Sequence, residues 1–202
     1  NPSLMRKAGA KDYRNYSLNI LKVTNKPVSF EVFADNAKNM ISQGLKISEW
    51  GKNVYVKVPV TNSRGKFMGK VINKLSKKKI KLNITSVYTA QQTKKILKKI
   101  DKTSKVIISI FAGRMADVGK DPIAEVKKSI IFAKNYKNVE ILWASVREPY
   151  NYLQAKQLKC DIITIPPTII EKIQKFGKSF NQLTLETVRA FLIDSKKSKF
   201  KI

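Results

Sequence analysis

Histidine is missing from the 202 residues altogether, and cysteine occurs once, at position 160. Without imidazole there is no His-based nucleophilic triad and no histidine metal triad, and one thiol closes no disulfide and builds no zinc cluster. Carboxylates are scarce as well: 14 Asp and Glu face 41 Lys and Arg, a formal net charge of +27. Arginine is rare within that cationic set, limited to Arg6, Arg14, Arg64, Arg114, Arg147 and Arg189. Long apolar runs are lacking too. The longest, Val106 to Ala112 with Ser109 as its one polar interruption, falls far short of the ~20 residues that span a bilayer. No signal-peptide pattern opens the chain, so the expectation is a cytoplasmic protein with no membrane partner. No Gly-x-Gly-x-x-Gly follows any strand candidate, which removes the main support for a dinucleotide-binding fold. No linker rich in Pro, Gly or Ser divides the chain, so residues 1–202 are expected to form one domain.

What is present is a normal apolar share, 43%, enough for a packed core. Short β-branched or aromatic runs alternate with amphipathic, lysine-studded segments of helical period. The strand candidates are 28–33, 53–58, 80–85, 106–111, 139–144 and 161–165. Helices are predicted near 10–24, 35–48, 64–77, 88–100, 121–136, 149–158, 168–176 and 184–195, with Asp35, Thr89 and Thr184 as polar caps. Strict strand–helix alternation predicts an α/β fold with parallel strands, either a doubly wound sheet or a (β/α)8 barrel.

The lysine excess reads first as a solvated surface. Direct base reading and bidentate phosphate clamps favour arginine, so no nucleic-acid partner is expected. A positive field of this size still steers small phosphorylated molecules.

Buried parallel strands normally read as apolar throughout. Here the strand ends carry polar residues: Glu31, Lys57, Asn83, Thr85, then Arg114, Ser145 and Arg147 just beyond two further strands. In a barrel the C-terminal ends of the strands are where active sites assemble. Lys57, between Val56 and Val58, is the most informative of them. An apolar strand disfavours the charged amine and draws its pKa down from ~10.4, and a neutral amine forms a Schiff base with a carbonyl.

The motifs in order are Asn1-Pro2-Ser3-Leu4, Val56-Lys57-Val58-Pro59-Val60-Thr61, Ile84-Thr85-Ser86-Val87-Tyr88, Phe111-Ala112-Gly113-Arg114, Ala144-Ser145-Val146-Arg147 and Ile163-Thr164-Ile165-Pro166. Together they resemble the transaldolase family over the whole chain, nearest to its small-subunit branch, which includes fructose-6-phosphate aldolase-like proteins. The resemblance implies a (β/α)8 TIM barrel that transfers a dihydroxyacetone unit between phosphorylated sugars. Sedoheptulose 7-phosphate and glyceraldehyde 3-phosphate would give erythrose 4-phosphate and fructose 6-phosphate. It implies Lys57 as Schiff-base nucleophile, with Glu31 and Thr85 holding a proton-relaying water. Asn1 and Asn83 would bond the bound intermediate, Arg114, Ser145 and Arg147 would cradle phosphate, and Phe111 would wall the pocket. The imine is its own electron sink, so no cofactor and no metal is expected. Glu31 in place of glutamine leans towards transfer over an aldolase that releases free dihydroxyacetone. A non-catalytic polyanion-binding barrel is the reading from a different class. Small family members often form rings, which implies a homo-oligomer built through a helix near 184–195. Family members also carry a first strand with an aspartate acid/base and a second strand ending in Thr-Thr-Asn. One to two strands, about 25–30 residues by analogy with the family length, are therefore expected before Asn1, and neither Asp117 nor Glu148 is assigned the aspartate's role by its motif. Cys160, at a strand start, reads as a structural thiol, and Trp50 and Trp143 as packing residues.

Overall fold

A computed structural model describes residues 2–200. Its chain falls into two compact units, Asn1–Ile165 and Pro166–Ile202. In the first unit, helices α1 (Pro2–Lys7) and α2 (Tyr13–Lys22) lead into β1 (Val28–Glu31). There follow α3 (Ala37–Ser48), β2 (Val54–Pro59), α4 (Gly69–Lys77), β3 (Leu82–Val87), α5 (Ala90–Leu97) and β4 (Val106–Ile110). After β4 come α6 (Ala112–Ala116), α7 (Ile123–Ala133), β5 (Val139–Trp143), α8 (Tyr150–Gln157) and β6 (Ile162–Ile163). All six strands are parallel and lie side by side in chain order. That sequential order, with a helical crossover at each step, is an arc of a TIM barrel.

Alternation along each strand separates two faces. One set, Val56, Val58, Leu82, Ile84, Ile108, Ile110, Ile141 and Trp143, is buried along with Ile72 and Leu75 of α4, Ile96 of α5 and Val126 of α7. Helices α3 and α4 approach closely at Gly44, where an added Cβ would lie 2.8 Å from Leu75 Cδ1. The other set faces inward. Tyr55, Ile107, Leu142 and Ala144 form an apolar floor, packed by Phe111 and Ile162. A β-bulge between Ile84 and Val87 interrupts the β3–β4 pairing, with Ser86 left-handed at φ 61°. It lies beside Thr85, at the end of the strand where the polar residues collect.

The strand and helix positions agree with the periodicity to within a few residues, and the differences have local causes. Asp35 does not cap α3. Asn36 does, accepting from Asn39 N at 2.9 Å. Asp35 instead accepts from Ser63 N and Oγ, both at 2.7 Å, which ties the loop after β1 to the loop after β2. Those Ser63 bonds hold its carboxyl below the usual carboxylate range. Strand β6 shrinks to two residues, with prolines 166 and 167, which lack N–H donors, close behind it. Helices α1 and α6 are too short to show a period.

In the second unit, α9 (Pro167–Ile173) is followed by α10 (Phe180–Ser198). Thr184 sits inside α10. The cap is Ser179, in a reciprocal box with Gln182, so the helix begins earlier than the apolar pattern suggests. Leu185, Val188 and Leu192, spaced i, i+3, i+7 along α10, are exposed.

Candidate active site

Register builds the site. Glu31 of β1 pairs with Lys57 of β2, and Lys57 pairs with Asn83 of β3. Three polar side chains from consecutive strands thus stand in one row on the inner face. Lys57 Nζ lies 3.9 Å from Glu31 Oε2, with the two side chains 19% and 26% exposed. The valines flanking Lys57 do not surround its amine. Val56 and Val58 are fully buried and by alternation point to the other face, so the amine's nearest charged neighbour is a carboxylate rather than an apolar wall.

Asn83 is pinned in one orientation. Its Nδ2 donates to Ser29 Oγ at 2.9 Å, and its Oδ1 accepts from Ser109 Oγ at 2.7 Å. This leaves one amide N–H uncommitted. Thr85 Oγ1 is buried with no hydrogen-bond partner among the described residues. A buried hydroxyl left unpaired is costly, and this one lines the central cavity.

That cavity measures about 750 Å³. Lys57, Asn83, Thr85, Phe111, Arg114, Ser145 and Arg147 all line it. Glu31 does not. It reaches Lys57 from the side and lines a smaller apolar recess with Tyr13, Phe33 and Trp50. Asn1 lies outside the described residues. Arg114 holds its guanidinium carbon 5.8 Å from the centre of the Phe111 ring, a cation–π distance. Arg147 is engaged by an acid: its Nε and Nη2 donate to Asp117 Oδ2 at 2.9 and 2.7 Å. Hydrogen bonding from Arg147 holds the Asp117 carboxyl below its usual range. Both side chains are nearly half exposed, so water screens the pair and it adds little to stability. The remaining donors of the Arg147 fork stay available.

Arg114 and Ser145 come together because α6 begins almost in contact with the segment after β5. Gly113 N donates to Ala144 O at 3.4 Å, and a Cβ on Gly113 would fall 1.5 Å from the carbonyl oxygen of Ser145. Ser145 itself is left-handed, φ 67°. Only glycine permits this approach.

Three functional positions escape a reading of strand ends. Ser109 lines the cavity and orients Asn83. A hydroxyl inside the run Val106–Phe111 was the available signal, although it sits mid-strand. Ser29 is the other anchor of Asn83. Tyr13 Oη accepts from Glu31 N at 2.7 Å and lies 3.2 Å from Glu31 O, to which it donates, so it holds the end of β1 where Glu31 turns towards Lys57. Burial pushes the Tyr13 phenol up to about 12. No periodicity reveals such a contact. Cys160 stands apart from the site, just before β6, its thiol pushed up to about 12 by burial and by the neighbouring Asp161. Trp143 is fully buried, and Trp50 packs against Tyr13 and Phe30 at 5.6 and 5.5 Å between ring centres.

Comparison with known proteins agrees with this layout. The family profile described as Transaldolase/Fructose-6-phosphate aldolase matches residues 1–202. A probable transaldolase of Thermoanaerobacter sp. is 31% identical over 203 residues, covering 100% of this chain and 88% of that protein. Probable transaldolases of Thermoplasma volcanium and Methanococcus maripaludis are each 33% identical, covering 98% and 96% of this chain and 84% of theirs. Among solved structures, the inosine 5'-monophosphate dehydrogenase of Legionella pneumophila superposes with a TM-score of 0.56 at 12% identity. The match takes in 79% of this chain and about half, 49%, of that one, a likeness of fold alone.

Gly113→Ala tests the close approach. The added methyl forces α6 away from the Ser145 carbonyl, and we expect a stability loss of about 1–3 kcal/mol. Urea unfolding reads the loss. An unchanged midpoint would show that the backbone contact is slack.

Proposed function

Because the chain belongs to the transaldolase/fructose-6-phosphate aldolase family, we propose that it moves a dihydroxyacetone unit between phosphorylated sugars through a Schiff base on Lys57. The donor–acceptor set is the one implied by the family resemblance, in carbohydrate metabolism of the pentose-phosphate type. The observation that carries the reading is the Lys57 amine, lining a 750 Å³ cavity with Glu31 at 3.9 Å and Asn83 in the adjacent register position.

In this mechanism the Lys57 amine, once it has given up its proton, adds to the ketose carbonyl carbon. The carbinolamine then expels its hydroxyl as water, and the protonated imine remains. Loss of the C4 hydroxyl proton to a base breaks the C3–C4 bond and releases an aldehyde, and the bonding pair moves into the imine as an enamine. The enamine carbon then adds to an incoming aldose aldehyde, and hydrolysis of the new imine frees Lys57. Every proton moved needs a carrier within reach. The Glu31 carboxylate is near the amine, and the unpaired Thr85 hydroxyl suits a water or substrate hydroxyl between them. The free Asn83 N–H is aimed by Ser29 and Ser109 and would hold a hydroxyl of the intermediate. Phe111 limits the space on the β4 side.

Phosphate would be taken at the rim. Arg114 stands over Phe111, and Arg147 keeps donors free beyond its Asp117 pair. Ser145 stands between them in sequence and adds a hydroxyl. Two guanidinium groups and a hydroxyl suit a phosphate dianion.

Two measurements test the reading. Borohydride reduction in the presence of fructose 6-phosphate should leave a covalent adduct on the peptide carrying Lys57, absent from Lys57→Ala. Active protein without that adduct would refute the mechanism. Arg147→Ala should raise KM for phosphorylated sugars about tenfold or more, the scale of losing a charge-assisted hydrogen bond, while leaving unphosphorylated substrates almost unaffected. Equal effects on both would remove Arg147 from the phosphate site.

A further inference from the structure

The fold sorts the lysines by face. Six connections run from a helix end to the next strand start: 23–27, 49–53, 78–81, 98–105, 134–138 and 158–161. They carry twelve lysines, no arginine and three carboxylates. Five connections run the other way, at the active-site end: 32–36, 60–68, 88–89, 111–122 and 144–149. These carry five cations and four carboxylates. The two ends of the strands therefore differ by about eight charges, +9 against +1. Helix dipoles favour cations near helix C-termini, which accounts for lysines in the last turns. It does not account for Lys52, Lys81 and Lys105, which sit just ahead of β2, β3 and β4 and converge on one recess of about 410 Å³ with Asn25, Asn53 and Tyr55.

That recess is built as a cationic bowl. Lys81 Nζ donates to the carbonyl of Lys52 at 2.6 Å and lies 5.8 Å from the Tyr55 ring centre, so its charge is held in place. Among the described residues none of the three lysines has a carboxylate within 4.0 Å. Two acids on this face are engaged locally: Asp101 accepts from Thr103 N and Oγ1, and Asp161 from Ile141 N. The third acid of the connections, Glu49, lies at the end of α3, and Glu140, second in β5, is near enough to Tyr55 that its charge adds to burial in raising that phenol.

We propose that this face, opposite the proposed catalytic mouth, binds the phosphodiester backbone of a nucleic-acid strand without reading its bases. Lysine is a point charge suited to phosphate, whereas base-edge recognition draws on arginine, and this face has none. Phosphate contacts give affinity and salt dependence but no sequence information. An anionic membrane would share the charge attraction. Stable surface binding to lipid also draws on apolar insertion, and Val23 is the one strongly exposed large apolar residue in these connections.

Fluorescence anisotropy with labelled 20-nucleotide RNAs tests this, using one homopolymer and one mixed sequence. Affinities should agree within about threefold and fall about 50-fold between 50 and 200 mM salt if four phosphates are contacted. Replacing Lys52, Lys78, Lys102 and Lys105 with glutamine should weaken binding at least tenfold and leave sugar turnover unchanged. Replacing Lys38, Lys66, Lys70 and Lys120, at the other end, should weaken it no more than about twofold. Equal losses from the two sets would reduce the effect to net charge and overturn the proposal. So would no RNA binding, or binding to phosphatidylglycerol vesicles but not to RNA. The sugar-transfer reading stands or falls separately, on Lys57.

Discussion

The pairing of β1 with β2 and of β2 with β3 decides what this protein can do. A one-residue slip in either ladder would send a polar side chain to the helix-covered face and bring a valine, phenylalanine or isoleucine inward. With the observed register, Glu31, Lys57 and Asn83 share a row, and the hydroxyls of Ser29 and Ser109 lock that row at one end. The buried valines and isoleucines opposite are what hold the register, since moving them into the cavity would forfeit about 1.5–3 kcal/mol each. Core packing and site assembly are therefore one constraint seen from two faces.

The same topology separates charge from chemistry. Carboxylates stand close to cations at the proposed mouth, where Asp117 engages Arg147 and Glu31 neighbours Lys57. At the other end lysines gather with few acids. A chain carrying +27 overall thus presents a nearly balanced entrance and a strongly cationic base. Small anions are steered by the whole field, whereas an extended polyanion would favour the base.

Much of this was legible in the residues alone. Strand–helix alternation located all six strands, and the polar interruptions at strand ends picked out six side chains that line one cavity, with Glu31 beside it. Periodicity was blind to contacts made by loops. The Asp117–Arg147 pair, the glycine-to-carbonyl approach at Gly113 and the Tyr13 bonds to the Glu31 backbone join residues far apart in sequence, with no repeat to announce them. Ser109 was hidden because one hydroxyl in an apolar run resembles a tolerated core serine. The lysines read as an even coating, because their sorting to one face exists only once the crossovers are formed.

The central claim is that a ketose becomes an imine of Lys57 before its carbon–carbon bond breaks. Imine formation must expel the carbonyl oxygen, which makes oxygen exchange its most direct signature. Fructose 6-phosphate labelled with ¹⁸O at C2 should lose its label to water rapidly with the wild-type protein, and only at the background rate with Lys57→Met. Sustained turnover with the label retained in the recovered ketose would contradict the account.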